Sequence, residues 1–368
     1  MVESNARTIQ ARFRFVQYVR LAIGIALLLF LVWRLFSVLV IDKTYTADTW
    51  VRFALSGSIL GGMYALIAIG YTLVYGIMFM INFAHGEVMM LGAFSGYFVF
   101  EILRFLPAPT PTSPDLNFLN AHPFVSVLLA FAAGIVVSGL AGYLLEKIAY
   151  RPLRHAPRLI LLITAIGASI FLQNAAMLLF GPQRKNIVNP EVLDRGAGWT
   201  LTISGNPVLI PYTGVFSIAL SAVLLVGLYL LVQRTKLGRA MRAVAQDRNT
   251  AFMMGVNVDR VVSQTFIISG VLAGAAGVMW SIHIGLVNHY TGFLPGLKAF
   301  TAAVMGGIGN IPGAMLGGVF LGLIEALGPG ILGIDFQLKD VIAFTILMLV
   351  LIIRPSGILG EKLTEEKL

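Results

Sequence analysis

Six stretches of the chain contain no Asp, Glu, Lys or Arg: 53–86, 123–145, 159–183, 196–233, 261–297 and 299–324. Each is long enough for a helix of ~20 residues, the length that crosses a hydrocarbon core. Weaker candidates are 21–41, interrupted by Arg34, then 87–105 and 336–353. A membrane β-barrel alternates polarity in short segments, whereas these blocks are apolar all round. The expected fold is therefore an all-α integral membrane protein. Only 12% of the 368 residues are charged, against ~25% in soluble domains. That share cannot cover a soluble surface. The chain has no Cys, which removes disulfides, thiolate nucleophiles and Cys-based metal sites. No small-residue cleavage site follows the apolar run 21–33, since Phe36, Val38 and Val40 come next. It reads as a retained span with Arg34 snorkelling at its outer end.

Lys and Arg set the orientation. Segments 1–20, 146–158, 234–260 and 354–368 hold 17 of the 26 basic residues, and the alternate segments hold 7. By the positive-inside rule both termini are cytoplasmic. The net charge of +9 is then mainly a topological signal, and it lacks the basic–aromatic interleaving of a nucleic-acid binder. Alternation also requires 299–328 to enter and return on one side, with 286–298 outside. Its centre, Gly306-Gly307-Ile308-Gly309-Asn310-Ile311-Pro312-Gly313, is a strong helix breaker. Ile81-Asn82-Phe83-Ala84-His85-Gly86-Glu87 is its counterpart in the first half. The reading is a polytopic helical bundle with about eight full spans plus broken or re-entrant half-helices. One interrupted segment in each half points to a transporter's pathway.

Asn82, His85, Glu87, Asn310 and Glu325 are the candidate substrate-path residues. The other reading is that they cap half-helices and satisfy broken backbone, or, for Glu325, form a structural hydrogen bond in the bundle. Glycines four apart (Gly57 and Gly61, Gly270 and Gly274, then Gly309, Gly313 and Gly317) read as close helix packing within the chain. No G-x-x-x-x-G-K-[ST] and no H-E-x-x-H occurs, and the five histidines are scattered. Gly70-Tyr71 is followed by Thr72 rather than the Gly of a potassium-type filter. No catalytic residue, metal or cofactor is expected, and the chain reads as a non-enzyme. In 234–260, Asp247 can start a short helix and Gly255 can end it in the left-handed conformation. Ala251, Met254 and Phe252 then offer a small apolar face. This is either a solvated loop or a docking helix for a cytoplasmic partner.

Over about 53–360 the chain resembles the LivH-type permeases of bacterial branched-chain amino acid ABC importers. The resemblance rests on several blocks in order: Gly62 to Tyr71, Met80 to Glu87, Tyr150-Arg151-Pro152-Leu153-Arg154, Ser169 to Asn174, the 237–258 loop, Gly306 to Gly313, and Arg354 to Gly360. It implies that 238–256 couples the permease to its ATPase, with Gly238, Arg239, Arg242, Asp247, Ala251, Met254 and Gly255 as candidate coupling residues. It also implies transport of branched-chain or other hydrophobic amino acids across the bacterial cytoplasmic (inner) membrane. The implied partners are two cytoplasmic ATP-binding subunits, a second homologous permease subunit, an extracytoplasmic substrate-binding protein and the lipid bilayer. Urea or short-amide permeases resemble the chain over the same motifs and stay open as an alternative. So does an ATP-independent channel or facilitator. The expected organisation is 1–50, a basic cytoplasmic tail plus an extra span; 51–360, the permease transmembrane domain with its coupling loop 234–260; and 361–368, a cytoplasmic tail.

Overall fold

The computed structural model describes residues 45–108, 116–154 and 156–360, together with 26, 29–30 and 32–38. The basic tail 1–20, most of the expected span 21–41 and the tail 361–368 lie outside the described residues. In chain order the elements are α1 (Ala47–Met78), α2 (His85–Phe105), α3 (Pro123–Leu144) and α4 (Arg158–Phe180). Then come β1 (Lys185–Asn186), the hairpin β2 (Gly198–Ile203) and β3 (Asn206–Pro211), and α5 (Tyr212–Arg234). The short α6 (Lys236–Gln246) and α7 (Arg248–Met253) precede α8 (Val258–Ile284) and β4 (Leu286–Val287). The chain closes with α9 (Phe293–Gly306), α10 (Ile311–Leu332) and α11 (Lys339–Ile353). Among the described residues, eight helices are long and apolar enough to cross a membrane. The protein is an all-α multi-pass membrane protein.

Glycine decides which helices touch. Lipid offers no hydrophobic drive for helix association, so close backbone contact must supply it. A Cβ on Gly318 or Gly322 of α10 would overlap the α1 backbone at Ala65 or Gly61. One on Gly270 or Gly274 of α8 would strike Ser138 or Gly134 of α3, and one on Gly277 would strike Met89 of α2. The spacing at Gly57 and Gly61, Gly270 and Gly274, and Gly313 and Gly317 is thus internal packing, whereas Gly309 lies in the break before α10 and packs against no backbone. This packing makes α1 and α8 the enclosed helices, and Met63 to Ile69 of α1 are all buried.

The first interruption lies between two full spans, α1 and α2, and the second divides the block 299–328 between the short α9 and the full-length α10. The helix α1 stops at Phe79, in the left-handed conformation (φ 52°), and α2 runs a full 21 residues from His85. Between α9 and α10, Gly307 and Gly309 take φ of 112° and 94°. Asn310 Oδ1 then caps α10, accepting from Gly313 N at 3.3 Å. Since α10 is itself 22 residues long, only the 14-residue α9 is short. The C-terminal segment closes this second break: Ile358 N donates to Met305 O (2.8 Å), Leu359 N to Gly306 O (2.9 Å), and Asn310 Nδ2 to Leu359 O (2.8 Å).

Ahead of α5, β2 and β3 form an antiparallel hairpin around Ser204-Gly205. Both turn residues have positive φ, the geometry of a tight two-residue hairpin turn. The charge-free run 196–233 hid it, because strand and helix there are equally uncharged. The Arg34 guanidinium donates to Leu332 O at 3.2 Å. It serves a helix C-terminus.

Candidate functional site

Three polar constellations stand out, two within the bundle and one on the 234–260 segment. The first surrounds the start of α2, where Asn82, His85 and Glu87 are all buried. Asn82 Oδ1 accepts from the Tyr150 hydroxyl at 2.6 Å. His85 Nδ1 lies 3.3 Å from Ser269 Oγ on α8, which also donates to Gly70 O at 3.1 Å. The Tyr71 ring meets the His85 ring edge-on. Glu87 Oε1 accepts from Gln173 Nε2 at 2.7 Å and Ser169 Oγ at 3.4 Å, both on α4, while Oε2 has no hydrogen-bond partner. Each of the three side chains joins the start of α2 to a different part of the bundle. None caps it: the residue before α2 is Ala84, which makes no side-chain cap hydrogen bond. Of the capping roles expected here, Asn310 alone performs one.

The second constellation centres on Glu325, which is 2% exposed. Its Oε2 accepts from the Tyr64 hydroxyl at 2.9 Å. Its Oε1 accepts from Lys298 Nζ at 2.9 Å and lies 3.0 Å from Lys339 Nζ. Lys298 Nζ is also 2.6 Å from Asp340 Oδ1. A cavity of about 370 Å³ opens onto these five residues. Sequence reasoning placed Lys298 in an external loop, whereas it is buried in α9. The signal was available: Lys298 alone separates the charge-free runs 261–297 and 299–324.

The third is the 234–260 segment, in which each turn is fixed by a named cap. Thr235 Oγ1 accepts from Gly238 N at 3.1 Å to start α6. Gly238 is buried, a Cβ there would strike Val232 O, and Arg242 donates to the same carbonyl. Arg239 is exposed. Asp247 starts α7, accepting from Thr250 Oγ1 at 2.5 Å and Asn249 N at 2.9 Å. These bonds, Thr250's first, hold its carboxyl below the usual value of 3.8. Gly255, at φ 82°, ends the helix.

Ala251 is turned inward and buried, while Phe252, Met253 and Met254 are 71–80% exposed. The apolar face is therefore Phe252-Met253-Met254, with Met253 in the place expected of Ala251. Arg248 faces the bundle and donates from Nε to Ile77 O at 3.2 Å, at the end of α1. Burial lowers its pKa, though a guanidinium stays protonated. Beside it, buried Glu146 accepts from Arg151 Nε (3.3 Å), Ser263 Oγ (2.8 Å) and Arg154, which also bridges to Asp259. This gives the Tyr150–Arg154 block a structural task, fastening the end of α3 to the start of α8. Among the described residues, no group of three His, Asp or Glu is placed to hold a metal ion.

A family profile described as "Branched-chain amino acid transport system / permease component" matches residues 53–351. The high-affinity branched-chain amino acid transport system permease protein BraD of Pseudomonas aeruginosa is 45% identical over 311 residues, covering 84% of this chain and 96% of the relative. Its counterpart LivH of Escherichia coli K12 is 40% identical over 314 residues, with the same coverage. A probable LivH permease of Methanocaldococcus jannaschii is 28% identical, covering 86% of this chain and 95% of the relative. No solved structure gives a significant match.

Proposed function

The chain belongs to the permease family of branched-chain amino acid transport systems, and from that premise we propose that it is the membrane-spanning permease subunit of an ABC importer. It carries branched-chain or related hydrophobic amino acids inward across the cytoplasmic (inner) membrane, driven by ATP that separate subunits hydrolyse. The observation that carries this reading is the exposed Phe252-Met253-Met254 knob on a helix capped at one end by Asp247 and stopped at the other by Gly255. Contiguous exposed apolar side chains on a loop between spans want a partner's groove. The positive-inside count supports a cytoplasmic location for this segment and for both termini.

The geometry also supports a transmission route. Pressure on the knob moves α7, Arg248 of α7 holds Ile77 at the end of α1, and α1 carries Tyr64 to Glu325. Rigid helices packed without slack shift as units and do not deform continuously. In this scheme Gly238, Arg239, Arg242, Asp247, Ala251, Met254 and Gly255 shape or form the docking segment. Asn82, His85 and Glu87 steady α2 beside the route, Asn310 holds the second break, and Glu325 faces the route. Two ATP-binding subunits, a second permease and an extracytoplasmic binding protein complete the assembly.

Co-purification of the ATP-binding subunits with a Phe252→Ser/Met253→Ser/Met254→Ser variant tests the docking role. Loss of the ATPase at normal permease abundance is expected. An ATPase that still co-purifies at the wild-type ratio overturns it.

A further inference from the structure

Buried charge in an apolar bundle persists only when it is paired. One pair would satisfy that rule for Glu325, yet two cations and two anions converge here, at graded depths. Lys298 and Glu325 lie deep, with side chains 5% and 2% exposed, while Lys339 and Asp340 lie at the rim, at 43% and 37%. The cavity they line, about 370 Å³, falls within the ~300–1,000 Å³ range of small-molecule sites. Its walls are mixed: Leu60, Trp280 and Leu294 form an apolar side beside the charged floor, while Arg184 and Asn288 add polar groups to the lining.

This arrangement allows an exchange of partners that keeps the site neutral. Lys339 can leave Glu325 for a ligand carboxylate, because Glu325 keeps Lys298 and the Tyr64 hydroxyl. Asp340 can leave Lys298 for a ligand ammonium, because Lys298 keeps Glu325. A molecule carrying one carboxylate and one ammonium replaces both rim contacts and strands no charge. A neutral amide can replace neither.

We propose that this cavity receives the head group of a zwitterionic amino acid, its carboxylate on Lys339, its ammonium on Asp340 and its hydrocarbon side chain against Leu60, Trp280 and Leu294. The proposal rests on the importer reading above and adds what that reading leaves open: the site selects a zwitterion over urea or a short amide.

The test is uptake of labelled leucine by proteoliposomes of the complete importer with saturating binding protein, measured together with ATP hydrolysis. Lys339→Gln and Asp340→Asn each lower the leucine moved per ATP hydrolysed by about tenfold, the scale of one charge-assisted contact. Both rim residues are partly exposed, so neither substitution endangers folding. Glu101→Gln, which removes an ion pair with Arg104 elsewhere on the bundle, leaves the ratio unchanged. If uptake and hydrolysis fall in parallel in the rim variants, the cluster is purely structural and the proposal fails. It fails equally if the ratio stays at the wild-type value. A wild-type importer that moves urea or acetamide but not leucine overturns the transport reading itself, before any variant is compared.

Discussion

Glu87 and Glu325 are both carboxylates enclosed by apolar helices, and their partners divide their roles. Glu87 is held by the neutral donors Gln173 and Ser169, a local tie between α2 and α4. Glu325 is held by two ammonium groups and a phenol, and it faces a cavity. Removing Gln173 leaves Glu87 under-bonded in a dry setting. Gln173→Leu should therefore lower the unfolding free energy of the solubilised protein by about 1–3 kcal/mol, read by denaturant or thermal unfolding. Pairing it with Glu87→Leu should recover most of that loss, since no buried charge then remains; no recovery would mean the tie is not what Gln173 provides. Gly70 makes a sharper case, because a Cβ there collides with the His85 ring. Gly70→Ala should reduce membrane abundance several-fold, and His85→Ala in the same chain should restore it, a coupling expected only of side chains in contact. Asn82, His85 and Glu87 were legible in the sequence as polar groups at a helix break. Their bonding was not, because Tyr150, Ser269 and Gln173 arrive from distant parts of the chain.

The short helix α7 shows what sequence can specify at the scale of an element. Its Asp247 cap and Gly255 stop are local chemistry, readable from residue type and spacing, and both are present. Replacing Asp247 by Ala removes the cap and should loosen ATPase co-purification. The Asp247 carboxyl is held below 3.8, so its contribution is complete above that pH and is lost only as pH falls through the lower folded value. ATPase binding through this helix should therefore be insensitive to Asp247 ionisation between pH 5 and 8 (about the physiological window), as a pH series of co-purification will check. The hairpin β2–β3 and the buried position of Lys298 were missed for one shared reason. Counting charge along the chain separates charged from uncharged segments but says nothing of strand against helix, or of a charge carried inside. The α1–α10 seam is the element-scale contact most exposed to substitution. Gly322→Val places two further methyl groups against the Gly61 backbone, and it should abolish accumulation of the protein, as immunoblotting of membranes will read.

At the scale of the whole molecule, scarce charge explains most of the organisation. Its absence marks the spans, its bias supports the orientation proposed above, and its buried members lie at separate posts, Glu87 against α4 and Glu325 with Lys298. The family match spans residues 53–351. On the proposed function, this bundle moves an amino acid only when a separate motor acts on the 252–254 knob. The direct measurement is leucine flux into proteoliposomes holding either this chain alone or the full set of two ATP-binding subunits, second permease and binding protein. No flux from the lone chain and ATP-dependent uptake by the full set are expected, the latter abolished by the Phe252→Ser/Met253→Ser/Met254→Ser substitution. Saturable leucine flux through the lone chain without ATP would contradict the proposed function.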